Sequence, residues 1–187
     1  MNNFEIVILA LALVFNSWAT YLNAGIALSG EPLIRKVRYS GIMFFVQYIM
    51  AGAGIWIGFK TGSLEIRVNM AVSLSIMLIF GLKVLLTGIK TRTEEKAFDY
   101  SDSKVTFLAA IAEGITPLAI GIAIGLLSMS PYLHWFITGT ILLAGIITGL
   151  IVTSRMGNTA FKLRFGPIGG LFLLAASIQM ATKLIGF

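Results

Sequence analysis

The stretch "AIAEGITPLAIGIAIG", residues 110–125, sets one carboxylate, Glu113, in a run of apolar and small side chains. Glu113 stands three residues before Thr116 and four before Pro117. Whether this run lies in water or in lipid decides the fold. Of the 187 residues 57% are hydrophobic and only 12% charged, and the mean hydropathy is +0.92. A soluble domain carries about a quarter charged residues. A chain with half that share cannot cover itself with polar surface, so it is read as an integral membrane protein.

Apolar windows near 5–28, 40–59, 69–89, 105–127, 134–153 and 167–186 each approach or exceed the roughly 20 residues that cross a bilayer core. In lipid the backbone must satisfy its own hydrogen bonds, which leaves helices or closed barrels. The runs show no strict alternation, so an all-α membrane protein with six transmembrane helices is expected. The first span is not a cleavable signal, because "MNNFEIV" offers no basic residue ahead of a long apolar run. Cysteine is absent, which excludes disulfides and thiolate metal sites.

Basic residues fall on alternate connections. Arg35, Lys36 and Arg38 lie in the first, Lys90, Arg92, Lys96 and Lys104 in the third, and Arg155, Lys162 and Arg164 in the fifth. The second holds only Lys60 and Arg67, and the fourth, "SMSPYLH", holds no Lys or Arg. Positive loops mark the cytoplasmic side. Loops 29–39, 90–104 and 154–166 are therefore expected in the cytoplasm, with both termini on the outer side of the cell (inner) membrane. The net charge of +6 then belongs to loops beside anionic headgroups and not to a nucleic-acid surface.

The polar stretch "KTRTEEKAFDYSDSK" at 90–104 divides the chain. Residues 1–90 form a first three-helix repeat, 91–104 a cytoplasmic linker and 105–187 a second three-helix repeat. Shifted by 100, "NSWATYLNAG" at 16–25 falls on "TPLAIGIAIG" at 116–125, with Ala19 on Ala119 and Gly25 on Gly125. Three helices per half makes the halves opposite in orientation. Inverted repeats place a site near the bilayer midplane, where the halves meet.

Polar residues at that depth are the site candidates. Asn16, Thr20 and Asn23 stand at i, i+4 and i+7, on one stripe of the first helix. Gln47 is midway along the second. Ser73, Ser75, Thr138, Thr140, Thr148 and Ser177 are read as hydroxyls that join helices. His134 beside Trp135 suits an interfacial aromatic belt. Lys83 is either a snorkelling side chain or an ion-pair partner of Glu113. Glu113 itself lies roughly 12 Å from the cytoplasmic end of its helix at 1.5 Å per residue. A carboxylate there costs at least ~2.5 kcal/mol on insertion scales, which marks it as functional. Pro117 removes the donor that would bond the Glu113 carbonyl, so carbonyl and carboxylate oxygens at a broken helix would suit a hard cation. One His, no Cys and one buried acid assemble no triad, zinc site or carboxylate pair, so no enzyme is expected.

The segments "NSWATYLNAGIAL" (16–28), "VQYIMAGAGIWIG" (46–58), "AAIAEGITPLAIGIAIGLL" (109–127) and "GPIGGLFLLAASIQMATKLI" (166–185) give the chain a resemblance to a known family. It resembles the MntP-like manganese efflux pumps of the LysE-type exporter superfamily, over nearly its whole length. In the last segment "GGL" is followed eight residues on by Gln179-Met180, at the family's spacing. The resemblance implies six helices as an inverted pair of repeats, and a metal-facing site that Gln179 would join. It also implies three departures. The family carries an Asp where this chain has Asn16, its symmetry mate where this chain has Thr116, and a Glu where this chain has Gln47.

The expectation is a secondary exporter of a small cation, manganese or another divalent metal, by alternating access. Glu113, Asn16 and Gln47 would meet the metal, and Thr116, Thr20, Asn23 and Gln179 would line its path. No cofactor would be needed, since the metal is cargo. The partners would be the lipid bilayer, the cation, and either a second copy of the chain or a membrane partner subunit. The loss of the family's carboxylates leaves open a non-transporting scaffold with the exporter fold, or an exporter of another small polar solute.

Overall fold

The structure, a computed structural model, describes residues 3–28, 30–62, 65–90, 102–127, 130–156 and 165–185. Most of the expected linker, residues 91–101, and the greater part of the expected loop 154–166 lie outside them. Six helices are described: α1 (Asn3–Ala27), α2 (Leu33–Thr61), α3 (Ile66–Lys90), α4 (Ser103–Leu126), α5 (Pro131–Met156) and α6 (Phe165–Ile185). Leu33–Thr61, Ile66–Leu86, Ser103–Leu126 and Pro131–Ile151 are long and apolar enough to cross a membrane. The apolar stretches described within α1 and α6, Val7–Trp18 and Ile168–Thr182, are shorter.

The helix starts follow from local chemistry. Pro32 precedes α2 in an extended conformation, and Glu31 pairs with Arg35 at 2.7 Å across its first turn. Asp102 caps α4 by accepting from the Lys104 amide at 2.9 Å, satisfying one of the donors a helix start leaves open. Pro131 opens α5, a position where its missing N–H costs nothing. The Asn69 amide bonds the Gly62 carbonyl at 2.9 Å and fastens α3 to the end of α2.

The outside of the bundle is apolar. Leu33, Phe45, Ile79, Leu108, Phe136 and Ile178 are all exposed. So many large apolar side chains facing outward would drive a soluble protein to aggregate. In lipid they are at home, and with the four long apolar helices they mark a multi-pass membrane protein.

Inside, two apolar clusters stack along the bundle. One joins Leu9, Leu13 and Val14 of α1 to Ala51 and Ile55 of α2 and to Ile120, Ala123 and Ile124 of α4. The other joins Tyr21 and Ala24 of α1, with Leu28 just past its end, to Tyr39 and Met43 of α2 and Ala110 of α4. Thus the start of α1 meets the ends of α2 and α4, and the end of α1 meets their starts. Helices α1 and α4 therefore run antiparallel.

The main packed pairs are α2 with α4, α1 with α5, α3 with α6, α1 with α6, α3 with α4 and α2 with α5. Exchanging α1 for α4, α2 for α5 and α3 for α6 returns the same set of pairs.

Two of the close crossings bear on the site. At α2–α4 a Cβ on Gly54 would collide with the Leu118 carbonyl, and one on Gly58 with that of Ile122. Reciprocally, a Cβ on Gly121 would lie 2.5 Å from the Ala51 carbonyl, and one on Gly125 would collide with that of Ile55. Only residues without side chains let the two backbones touch in this way. At α1–α5, Gly145 faces the Val14 side chain and Gly149 faces Trp18 and Tyr21. Toward the other end of α5, the Tyr48 and Trp135 rings stack at 4.8 Å, and the Trp135 indole bonds the Tyr48 carbonyl at 3.0 Å.

Candidate ion site in the middle of the bundle

Between the two apolar clusters lies a band of polar side chains. On α1 it falls between Val14 and Ala24, on α2 between Met43 and Ala51, and on α4 between Ala110 and Ile120. Its centre is Glu113. Thr20 Oγ1 donates to Glu113 Oε1 at 2.8 Å, and Ser17 Oγ donates to Glu113 Oε2 at 3.3 Å. One turn along α1 from Ser17, the Tyr21 hydroxyl donates to Gln47 Oε1 at 2.5 Å. Ser17, Tyr21 and Gln47 are fully buried. The Gln47 Nε2 group has no hydrogen-bond partner among the described residues. All three hydrogen bonds run from α1 to the α2–α4 pair.

Of the residues singled out in the sequence, Glu113, Thr20 and Gln47 stand in this band. Thr116 is buried one turn along α4 from Glu113. Asn16 sits at the crossing of α1 with α6, where a Cβ on Gly169 would lie 2.6 Å from its backbone nitrogen. The Asn23 side chain lies outside the described residues. Gln179 faces outward on α6, and its carbonyl accepts from Thr182 Oγ1 at 2.8 Å. Lys83 is exposed on α3 with its Nζ 5.3 Å from the Phe80 ring centroid, and it makes no ion pair with Glu113. Its long stem reaches the outside of the helix in preference to the interior, as a snorkelling lysine does.

Pro117 does not break α4, which is helical from Ser103 to Leu126. Proline costs α4 one backbone donor without ending the helix. Of the other hydroxyls singled out in the sequence, Ser73 bonds across helices, to the Ala123 carbonyl at 3.0 Å. Ser75, Thr140, Thr148 and Ser177 instead bond carbonyls one turn back in their own helices. His134 is buried beside Trp135 at the start of α5.

Ser17 and Tyr21 escape the reading of the sequence, although a signal for them is present. The stripe of Asn16, Thr20 and Asn23 points one way around α1, while Ser17, Thr20 and Tyr21, at i, i+3 and i+4, point another. Thr20 belongs to both. Only the position of Glu113 on α4 decides which stripe faces the site.

A carboxylate with hydroxyl and amide oxygens around it can hold a hard cation, because such ions select oxygen. Among the described residues no three His, Asp or Glu side chains gather as a metal-binding group. The helices and this band define a multi-pass membrane protein with one acidic group held inside. A model of the family described as "Putative manganese efflux pump" matches residues 32–181, and the chain belongs to that family, MntP. Relatives of the same description span nearly the whole chain. That of Bacteroides thetaiotaomicron is 29% identical over 191 residues, covering 96% of each chain. That of Photorhabdus laumondii is 28% identical over 187 residues, covering 96% of this chain and 94% of the relative. That of Methanothermobacter thermautotrophicus is 24% identical over 188 residues, covering both chains entirely. No solved structure matches the chain.

Proposed function

We propose that the protein is a secondary exporter of a small cation, with Glu113 as its ion-binding group. The relatives' names make manganese the first cargo to test. The single observation that carries the reading is the Glu113 carboxylate, held midway between the two apolar clusters by Thr20 and Ser17. A charge at that depth is costly in lipid, and such residues serve ion pathways and proton relays.

The mechanism is alternating access of two inverted three-helix repeats, residues 1–90 and 105–187, joined by a cytoplasmic linker at 91–104. The antiparallel run of α1 and α4 and the set of helix pairs that survives exchange of the halves support it. Two of the site's hydrogen bonds cross from α1 in the first repeat to Glu113 on α4 in the second, so rocking one repeat against the other would open and close it. All six helices span the inner membrane, with both termini outside. Chemistry on a bound substrate is no part of the cycle, which needs only binding and release.

The test is manganese flux into proteoliposomes, comparing the unmodified protein with Glu113→Gln. Flux that falls to the level of empty liposomes in the variant, with insertion unchanged, is the expected result. Flux retained by Glu113→Gln removes Glu113 from the pathway. No flux of any cation by either protein, together with a stoichiometric partner on purification, would make the chain a membrane scaffold.

A further inference from the structure

We propose that the Glu113 cluster binds one singly charged metal cation of the sodium class, a refinement that rests on the exporter reading above. The argument is one of charge. Both Glu113 oxygens are engaged by hydroxyl donors, Thr20 on Oε1 and Ser17 on Oε2, which is how an ionised carboxylate is held. Glu113 is in no ion pair among the described residues, and Lys83 is turned to the outside over Phe80. An ionised Glu113 would therefore stand here without a neutralising cation in contact with it.

A singly charged ion brings the site to neutrality. A divalent ion would leave it with a net positive charge in a medium that solvates ions poorly, and divalent sites normally answer with further carboxylates. Here Asn16, Gln47 and Thr116, near the centres of their helices, are neutral, and no second acid joins Glu113 among the described residues.

The oxygens present suit a small ion. A hydroxyl keeps lone pairs beside its proton, so Thr20 and Ser17 can turn from donors to ligands without leaving their rotamers. They stand 2.8 and 3.3 Å from the carboxylate oxygens. Neighbouring ligands of an ion that holds oxygen at about 2.3–2.6 Å are roughly this far apart. Gln47 supplies a further oxygen. Its amide accepts from Tyr21 and leaves Nε2 without a partner. Turned end for end, the same amide would donate to the Tyr21 oxygen and release its own carbonyl oxygen to a cation.

The experiment is equilibrium binding of radiolabelled sodium to the purified chain in detergent, at constant ionic strength with an organic cation replacing sodium. Saturable binding of one sodium per chain is expected, lost in Glu113→Gln and weakened about tenfold in Thr20→Val, the loss of one ligating hydroxyl. Thr20→Val keeps the side-chain shape, so size-exclusion elution should not change. Thr140→Val, which alters only a bond to Phe136 in its own helix, should bind as the unmodified protein does. Manganese should displace sodium only at concentrations above those at which sodium itself saturates. The proposal is overturned by absent saturable binding, by binding that survives Glu113→Gln, or by manganese displacing sodium more readily than sodium does. Manganese flux without sodium binding would sink this proposal and leave the exporter standing. Sodium binding with no flux of any cation would do the reverse.

Discussion

The α2–α4 crossing and the α1–α5 crossing correspond when the halves are exchanged, yet they are built differently. At α2–α4 glycines on both helices press against backbone: Gly54 and Gly58 from one side, Gly121 and Gly125 from the other. At α1–α5 the glycines are on α5, and α1 answers with Val14, Trp18 and Tyr21. At the shift of 100 that aligns the halves, Tyr21 occupies the place of Gly121. The same exchange sets Leu13 against Glu113, Ser17 against Pro117 and Thr20 against Ile120. One half has therefore given its small residues to a close backbone contact, and the other has kept side chains that reach the carboxylate. The site is one-sided although the packing is paired.

A backbone contact has nothing that can rotate away, whereas a side-chain contact does. Gly125→Val should therefore have the largest effect of any change discussed here, because its Cβ would meet the Ile55 carbonyl and stand 2.8 Å from the Phe59 nitrogen. Overpacking of this kind costs about 1–3 kcal/mol and sometimes more, so loss of folded protein from the membrane is expected. Gly149→Ala, at 2.8 Å from the Tyr21 Cβ and 3.0 Å from Trp18, should cost less, about 1–2 kcal/mol, since the Trp18 ring can turn although the Tyr21 Cβ moves only with α1. Unfolding in graded denaturant of the two variants, run side by side, measures the difference. Equal losses would mean that the crossings are mechanically alike.

The comparison also shows which features were legible in the sequence. Hydropathy located six helices, with termini within a few residues for every helix but α2. It started α2 near 40, although the helix begins at Leu33, because Arg35, Lys36 and Arg38 lower the hydropathy without disturbing helical geometry. Glu113 was legible because a lone carboxylate in an apolar run has few uses. Its partners were not, because hydropathy carries no rotational phase between helices. The phase of α1 against α4 appears only in the folded bundle, where it turns Ser17 and Tyr21 inward with Thr20. Gln47 was found as a midspan amide, but its tie to Tyr21 required the fold.

Tyr21→Phe tests the side-chain half of the comparison. It removes one hydroxyl, keeps the ring against Gly149, and leaves the Gln47 amide buried without its donor. An unmade bond on a buried polar group costs about 1–3 kcal/mol. The expected result is a moderate loss of stability, smaller than that of Gly125→Val, with helix content unchanged by circular dichroism. Replacing Gln47 by Leu in the same background should recover part of that loss, since both unsatisfied groups are then gone. A double variant no more stable than Tyr21→Phe would show that the two side chains do not act as a pair.

The smallest effect is expected at Gln179. Gln179 is expected in the site from the resemblance of its segment, but its position on α6 faces the outside of the bundle, next to exposed Ile178. Its carbonyl bond from Thr182 is a backbone feature that any residue keeps. Gln179→Leu should therefore leave flux unchanged and shift stability by no more than about 0.5 kcal/mol, as surface changes do. A polar group facing hydrocarbon gains nothing from its amide, so the small shift should be toward greater stability. A loss of flux comparable to that of Glu113→Gln would mean that α6 turns this face inward during transport.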